Sequence, residues 1–536
     1  MAVALVDRLV EPWAVVPLAL ALVLASYLYD YLVTNAPLRR IPAPFGAQFS
    51  NLWLLCVCRR GHRFRTVDRC HAKLGKLLRI QPNHVSVADD DAIPAIYGHG
   101  NGFLKSWVPF SYPAPLPPPP PPPPPLDFYD AFVSIRRGLF STRDRVEHSR
   151  KRKIISHTFS GRSVLEFEPY IQQNMALFVQ QLDRLIQQSP HRTGAGQNEA
   201  RIDILPWFNF LAFDVIGDLA FGAPFGMLEK GADTAEVRLS PTSPAVYAPA
   251  IEILNRRGEV SATLGCYPRL RPYARWIPDA FFSKGLEAVE SLAGIAIARV
   301  KTRLETPPDL RRKDLLARLI QGKDDKGQPL GRDELTAEAL TQLIAGSDTT
   351  SNSLCAILNY LVRNPGALDK LRREVDAAIP PGVDVPTYDM VRRLDYLSWV
   401  IDETLRLHCT SGIGLPRQVP PDSPGVTICG HHFPPGTVLS VPTYTIHHSR
   451  EIWGQDAEEF KPERWRHVTA RQKNAFIPFS HGPRACVGRN VADMELKLMT
   501  ALWARRYHVT LRQGEMKTRE GFLRKPLGLQ VGLCRR

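Results

Sequence analysis

The sequence predicts one large, mainly α-helical domain with a small β-rich portion, carried on an N-terminal transmembrane helix. Three observations support this. Segments such as "IQQNMALFVQQLDRLIQQ" and "GLEAVESLAGIAIARVKTRL" repeat apolar residues at intervals of three and four, the helical period. Short strand-like pieces, as in "GVTICGHHFPPGTVLSVPTYTIH", interrupt that pattern near the C-terminal end. An apolar run, "WAVVPLALALVLASYLYDYLV" at 13–33, has Asp30 as its only charge and the length of roughly 20 residues that a bilayer crossing requires.

No charged n-region or small-residue cleavage site accompanies that run, so residues 1–36 read as a retained anchor rather than a signal peptide. Arg39 and Arg40 follow the span, and positive flanks stay cytosolic, which predicts a single-pass protein whose catalytic body faces the cytosol. Residues 37–50, "PLRRIPAPFG" onward, read as a stiff proline-rich hinge, and residues 51–536 as the catalytic domain.

Nine consecutive prolines, Pro117 to Pro125, lie within 107–126 and admit only polyproline II. They read either as a docking segment for a proline-recognising module or as a surface insertion between "NGFLKS" and "DFYDAF", which look as though they should adjoin. On the insertion reading, closing the longer loop costs about 1 to 2 kcal/mol or less. Deleting Trp107 to Leu126 should then preserve the folded domain and whatever site it carries; collapse of the fold would make the segment an integral part of it.

The 536 residues carry a formal charge of +15, but the basic residues are dispersed and no nucleic-acid motif appears, which argues against nucleic acid as a partner. The nine cysteines are scattered without a C-x-x-C pair, which argues against a disulfide framework and for a reducing compartment.

Four stretches carry candidate chemistry. In "EALTQLIAGSDTTSNSLCAILNYLV" (338–362) a long apolar helix holds Gly346, Asp348, Thr349 and Thr350 at its middle. Glycine is a poor helix former and threonine hydroxyls compete for carbonyls, so a local opening is expected where an acid beside an alcohol can hold water and pass protons. In "WVIDETLRLHCT", Glu403 and Arg406 stand one turn apart in an apolar helix, and "EEFKPERWRH" offers Arg464; together they suggest a buried ion network that organises structure. In "PFSHGPRACVGRN" (478–490), Cys486 is boxed in by Gly482, Arg484, Gly488, Arg489 and Pro483.

"AGSDTT", "ETLR", "FKPERW" and "FSHGPRACVG" fall in the order and at the spacings of the cytochrome P-450 haem-thiolate monooxygenases, and the last matches F-x-x-G-x-R-x-C-x-G at every fixed position. More narrowly, "FYDAFVSIRRGLF", "NRRGEVSATLGCYP", "FLAFDVIGDLAFGAPFGML" and "TREGFLRKPLGLQVG" resemble the fungal benzoate 4-hydroxylases of that superfamily.

The resemblance implies the P-450 fold and a b-type haem with Cys486 as the thiolate ligand of its iron, within a loop that includes Phe479, Gly482 and Gly488. A thiolate favours cleavage of the O–O bond, and residues without Cβ let backbone approach the porphyrin closely. It implies Arg484 as a contact for a haem propionate, with Arg417 as another. "EHSRKRK" stands where the family has W-x-x-x-R, which puts His148 at the tryptophan position, a departure, and Arg152 at the arginine. It implies Asp348 and Thr349 as the proton-delivery pair, and O2 with NADPH-derived electrons as co-substrates. The reaction implied is para-hydroxylation of benzoate, or of another small aromatic. A membrane-tethered interaction protein using its proline run, with an impaired haem domain, is the reading from a different class.

The implied partners are NADPH-cytochrome P-450 reductase, an aromatic acid and the endoplasmic reticulum membrane. Arg150, Lys151, Arg152 and Lys153 form a basic patch that would attract an acidic partner surface. Arg136 and Arg137 lie in the segment that resembles the loop over the haem, but nothing aims them at a substrate carboxylate.

Overall fold

The computed structural model describes residues 12–105, 127–306, 312–323 and 327–536, so the proline run lies outside the described residues. Helices dominate. Those that position the site are α1 (Pro12–Tyr29), α2 (Leu52–Arg59), α3 (Arg145–Ser156), α4 (Leu205–Phe221), α5 (Ala250–Cys266), α6 (Ala280–Glu305), α7 (Arg332–Arg363), α8 (Asp395–Leu407) and α9 (Arg489–Arg506). The main sheet holds five short strands, β1 (Leu77–Gln81), β2 (His84–Val87), β3 (Leu104–Lys105), β4 (Arg417–Gln418) and β5 (Val438–Ser440), in the order β1-β2-β5-β4-β3. Its β5 runs parallel to β2, with Val438 opposite His84, and antiparallel to β4, with Leu439 opposite Arg417. A C-terminal hairpin pairs β6 (Thr518–Glu520) with β7 (Arg524–Pro526).

The central helix α7 lies along α4 and also touches α6, α8 and α9. Most of its residues are buried, polar ones such as Glu338, Asp348 and Asn352 included, so the helix is surrounded by protein along most of its length. It opens with Asp333 and Glu334 in its first turn, where acidic groups complement the helix dipole, and stops before Pro365, which cannot continue it. Helix α3 starts at Asp144, whose carboxylate accepts the Glu147 N–H at 2.7 Å.

Three local outcomes differ from expectation. First, α7 does not open: it is helical from Arg332 to Arg363, and the hydroxyls of Ser347 and Thr349 bond back one turn, to the Leu343 and Ala345 carbonyls, both at 2.7 Å. That bonding satisfies the hydroxyl without breaking the ladder. Second, the segment after α1 does not stand away from the body as an extended spacer. Leu38, Ile41 and Ala47 are buried, and the Pro42 carbonyl accepts the Arg79 N–H. Third, the basic patch on α3 is largely consumed. Lys151 is buried against Glu334 at 2.6 Å and Glu338 at 2.9 Å, Arg150 pairs with Glu147 and Glu334, and Arg152 donates to the Ala485 carbonyl at 2.7 Å. Consecutive basic residues on a helix point in different directions, so a run that looks like a patch in sequence is divided among several faces.

All nine cysteines are free. Helix α1 and the helical turn Asp30–Thr34 that continues it form the one stretch, Val16–Thr34, that is long and apolar enough to cross a membrane among the described residues. Tyr27 within it meets Tyr267, just past α5, hydroxyl to hydroxyl at 3.0 Å.

Candidate functional site

Glu403 and Arg406, both on α8, are fully buried. Arg406 grips Glu403 in a two-pronged bond at 2.9 Å on each prong, and its remaining nitrogens reach the His447 and Ala457 carbonyls at 2.7 Å. Glu403 also accepts from Arg464 Nε at 2.8 Å, from Trp465 Nε1 at 3.0 Å and from the Lys461 N–H at 3.0 Å. A carboxylate in this setting has all its lone pairs engaged, the condition for burying it without a large loss. Glu463, its neighbour in sequence, turns outward to Lys370 and Tyr396.

The network connects to the segment leading into the cysteine loop through His447, whose carbonyl Arg406 holds and whose Nε2 accepts the Ile477 N–H at 3.0 Å. The Cys486 N–H bonds the Phe479 carbonyl at 2.9 Å, closing the loop. Gly482 has φ of +71°, and a Cβ there would run into the Tyr97 carbonyl, so its glycine is required by protein packing. Gly488 has no such constraint: its Cβ would meet the Cys486 sulfur at 4.0 Å, ordinary contact distance. The Gly488 N–H instead faces that sulfur. Burial pushes the Cys486 thiol up, and this N–H, Arg152 and Arg489 pull it down. The loop thus crowds the sulfur without covering it, since Cys486 keeps solvent-exposed surface.

A second uncovered surface lies on α7. Ala345 is exposed midway along an otherwise buried helix, with Thr341 and Thr349 partly exposed one turn to either side. Thr350 donates to Glu495 on α9 at 2.8 Å, which sets this stretch beside the helix that the cysteine loop leads into. Asp348 is buried and paired with Lys525 of β7, which also meets Asn255 of α5.

Between the loop and the five-stranded sheet lies a cluster of cations. Arg484 donates to the Thr142 and Arg143 carbonyls at 2.7 and 2.9 Å. Arg417 donates to the Tyr129 hydroxyl at 2.6 Å. Lys105, which nothing in "NGFLKS" marks as functional, is buried over the rings of Tyr129 and Phe140, with Nζ on the Phe140 carbonyl. Burial and neighbouring arginines push Lys105 well below its usual range and Arg484 down to about 10. His148 is pushed down to about 3 by burial, Arg484, Lys105, Arg152 and Arg417, so it is a neutral hydrogen-bonding ring at ordinary pH. None of Arg417, Arg484 and Lys105 forms an ion pair among the described residues.

These features fit a haem. An accessible sulfur in a closed loop suits an axial ligand, the uncovered stripe of α7 suits contact with a flat ring, and cations without anionic partners suit two propionates. Arg417, Arg484, His148 and Lys105 are the groups that could hold those propionates. The structure thus brings Cys486, Arg484, Arg417, His148 and Arg152 to one place, and keeps Arg136 exposed and Arg137 paired with Asp130.

Glu495 has a pH signature. Burial raises its pKa to about 7, from a normal value near 4.5. The folded protein therefore binds a proton that the unfolded chain has released over that interval, so this group makes the fold more stable as pH falls from 7 toward 4.5. Glu495→Gln should raise the melting temperature at about pH 8 and flatten its dependence over that window; an unchanged slope would reassign the effect to another group, such as Glu520, which burial also raises to about 7.

The family model described as Cytochrome P450 matches residues 123–533. The chain is 60% identical over 526 residues to "Benzoate 4-monooxygenase bphA" of Aspergillus niger, covering 97% of each chain. It is 31% identical over 531 residues to a "Cytochrome P450 monooxygenase" of Aspergillus terreus, covering 93% of this chain and 95% of the relative. With "Cytochrome P450 monooxygenase gsfF" of Penicillium aethiopicum it shares 29% identity over 519 residues, 94% of each chain.

Proposed function

The chain belongs to the cytochrome P450 family, and from that membership we propose that it hydroxylates benzoate at the para position, using haem, O2 and NADPH-derived electrons. The observation that carries the substrate is the 60% identity along 97% of both chains with a benzoate 4-monooxygenase. When bound, the haem supplies dioxygen activation and transfer of one oxygen atom to the ring, the other leaving as water.

The chain's own residues prepare for this in four ways. Cys486 presents its sulfur as the iron ligand, with the Gly488 N–H and the Arg152 and Arg489 charges stabilising the anion; Arg152 also fixes the adjoining Ala485 carbonyl. Arg417, Arg484, His148 and Lys105 bind the propionates, each gaining the hydrogen-bonding anion that burial makes valuable. Asp348 and Thr349 deliver protons. Asp348 must leave Lys525 to do so, and the Thr349 hydroxyl must turn from the Ala345 carbonyl, so both start from a closed arrangement. The Glu403–Arg406–Arg464 network holds the segments that carry the cysteine loop.

The electron donor we assign is a membrane-bound NADPH-cytochrome P-450 reductase. Since Arg150 and Lys151 are engaged internally, its docking rests on other cations of this +15 chain. With α1 as anchor, the endoplasmic reticulum is the assigned membrane, the body on its cytosolic side.

The deciding experiment supplies purified protein with reductase, NADPH and benzoate. 4-Hydroxybenzoate is expected; NADPH oxidation without any hydroxylated benzoate would sink the substrate assignment. Thr349→Ala should keep haem content but lower product formed per NADPH consumed by about tenfold or more, the remainder appearing as peroxide. An unchanged ratio would refute the relay.

A further inference from the structure

Burying a benzoate carboxylate demands a cation or several donors in compensation. Arg257 is a buried arginine outside the cation cluster that lacks a carboxylate partner among the described residues. Arg257 lies on α5 and is 4% exposed. Its Nη2 donates to the Phe132 carbonyl at 2.8 Å, while its Nε is buried with no partner. No carboxylate among the described residues pairs with it: the one it senses, Asp348, is held by Lys525. Arg271 adds a second cation nearby, donating to the Asp130 and Val133 carbonyls. Burial and Arg271 press the Arg257 pKa down to about 10, the mark of a guanidinium short of negative charge. One helical turn along α5, the Ser261 hydroxyl is also buried and unpartnered.

An aromatic box adjoins this pair. Phe132, Phe140 and Phe522 meet edge to face, with ring centres 4.7 to 5.6 Å apart. Phe132 lies 5.4 Å from the Arg257 guanidinium carbon, and Phe140 lies 4.6 Å from Lys105 Nζ. The box therefore spans the distance between the lone guanidinium and the cations proposed to hold the porphyrin edge. Aromatic rings prefer such edge-to-face partners.

We propose that Arg257, assisted by Ser261, binds the carboxylate of an aryl carboxylate substrate whose ring packs against the cluster of Phe132, Phe140 and Phe522. This rests on the aromatic-acid reading above and names the residues behind it. The para carbon is the ring atom opposite the carboxylate, so a carboxylate held at Arg257 leaves that carbon farthest from the anchor.

The test uses full-length, haem-loaded protein and reads substrate binding from the change in the haem absorption spectrum. Benzoate is compared with benzamide, which has the same shape without the charge. In Arg257→Gln the benzoate Kd should rise about 10- to 100-fold, as expected for a lost charge-assisted bond, and the benzamide Kd should stay within about threefold. Arg257→Lys should recover part of the loss, and residual turnover of Arg257→Gln should spread from the para to the meta position. Equal weakening of both ligands would mean that Arg257 only supports the fold, and an unchanged benzoate Kd would overturn the proposal outright.

Should Arg257→Gln fail to retain haem, Ser261→Ala provides the second reading. It should weaken benzoate by about two- to tenfold and spare benzamide, and equal effects on both would again count against the site. Failure of wild-type protein to bind benzoate would count against benzoate as substrate, not against Arg257. Other aryl acids paired with their amides then decide. Selective loss of any acid in Arg257→Gln supports the site, and wild-type protein that favours no acid over its amide overturns it.

Discussion

Cys486→Ala should abolish the long-wavelength absorption band that a thiolate-ligated haem shows when reduced under carbon monoxide. No other residue of the loop offers a soft anionic ligand. The nearest rival, Cys355, lies on α7 a turn and a half beyond Thr349, but its thiol is buried against the Met516 sulfur at 4.0 Å, and burial pushes it far up the scale. Cys56 and Cys429 are exposed on α2 and in a β-turn, away from the cation cluster. The other cysteines are intermediate or buried. Hydroxylation should vanish with the band. A variant that kept the band would place the iron ligand elsewhere and undo the assignment of the loop.

Glu403→Gln should be the most damaging change outside the loop. It leaves Arg406, with no exposed surface, and the nearly buried Arg464 without their shared carboxylate, and it offers one N–H face to donors that need an acceptor. Removing one member of a buried charged set costs about 3 to 5 kcal/mol. The expected result is a large fall in melting temperature and loss of haem during purification, measured by thermal unfolding and by the ratio of haem absorbance to protein. Normal stability with normal haem retention would mean that the network is not needed to hold the cysteine loop.

Much of this site is legible in sequence because its chemistry lies in contiguous motifs. Cys486, Arg484 and Gly482 share one loop, and Glu403 with Arg406 occupies a single helical turn, so residue types and spacing suffice to single them out. The helix that carries Asp348 and Thr349 is equally plain, but its predicted opening is not found. The sequence shows poor helix formers, while only the folded helix shows the Ser347 and Thr349 hydroxyls bonded back to carbonyls. Lys105 escapes notice for a different reason: a single lysine in a short edge strand carries no pattern, and it joins Arg417 only because β3 pairs with β4.

The sequence by itself determined the class of fold, the apolar N-terminal run, and which cysteine, acid–alcohol pair and carboxylate–arginine pair stand in motifs. These depend on composition, period and near spacing. Tertiary structure alone decided which charges find partners. In the chain, Lys151 and Arg257 are two basic residues among 68. In the fold, α7 brings Glu334 and Glu338 to Lys151, while α5 carries Arg257 to a buried place where no carboxylate pairs with it. Electrostatic partnership acts over a few ångströms between residues that here lie more than a hundred positions apart, so it is set by the packing of the helices and not by anything local in the sequence.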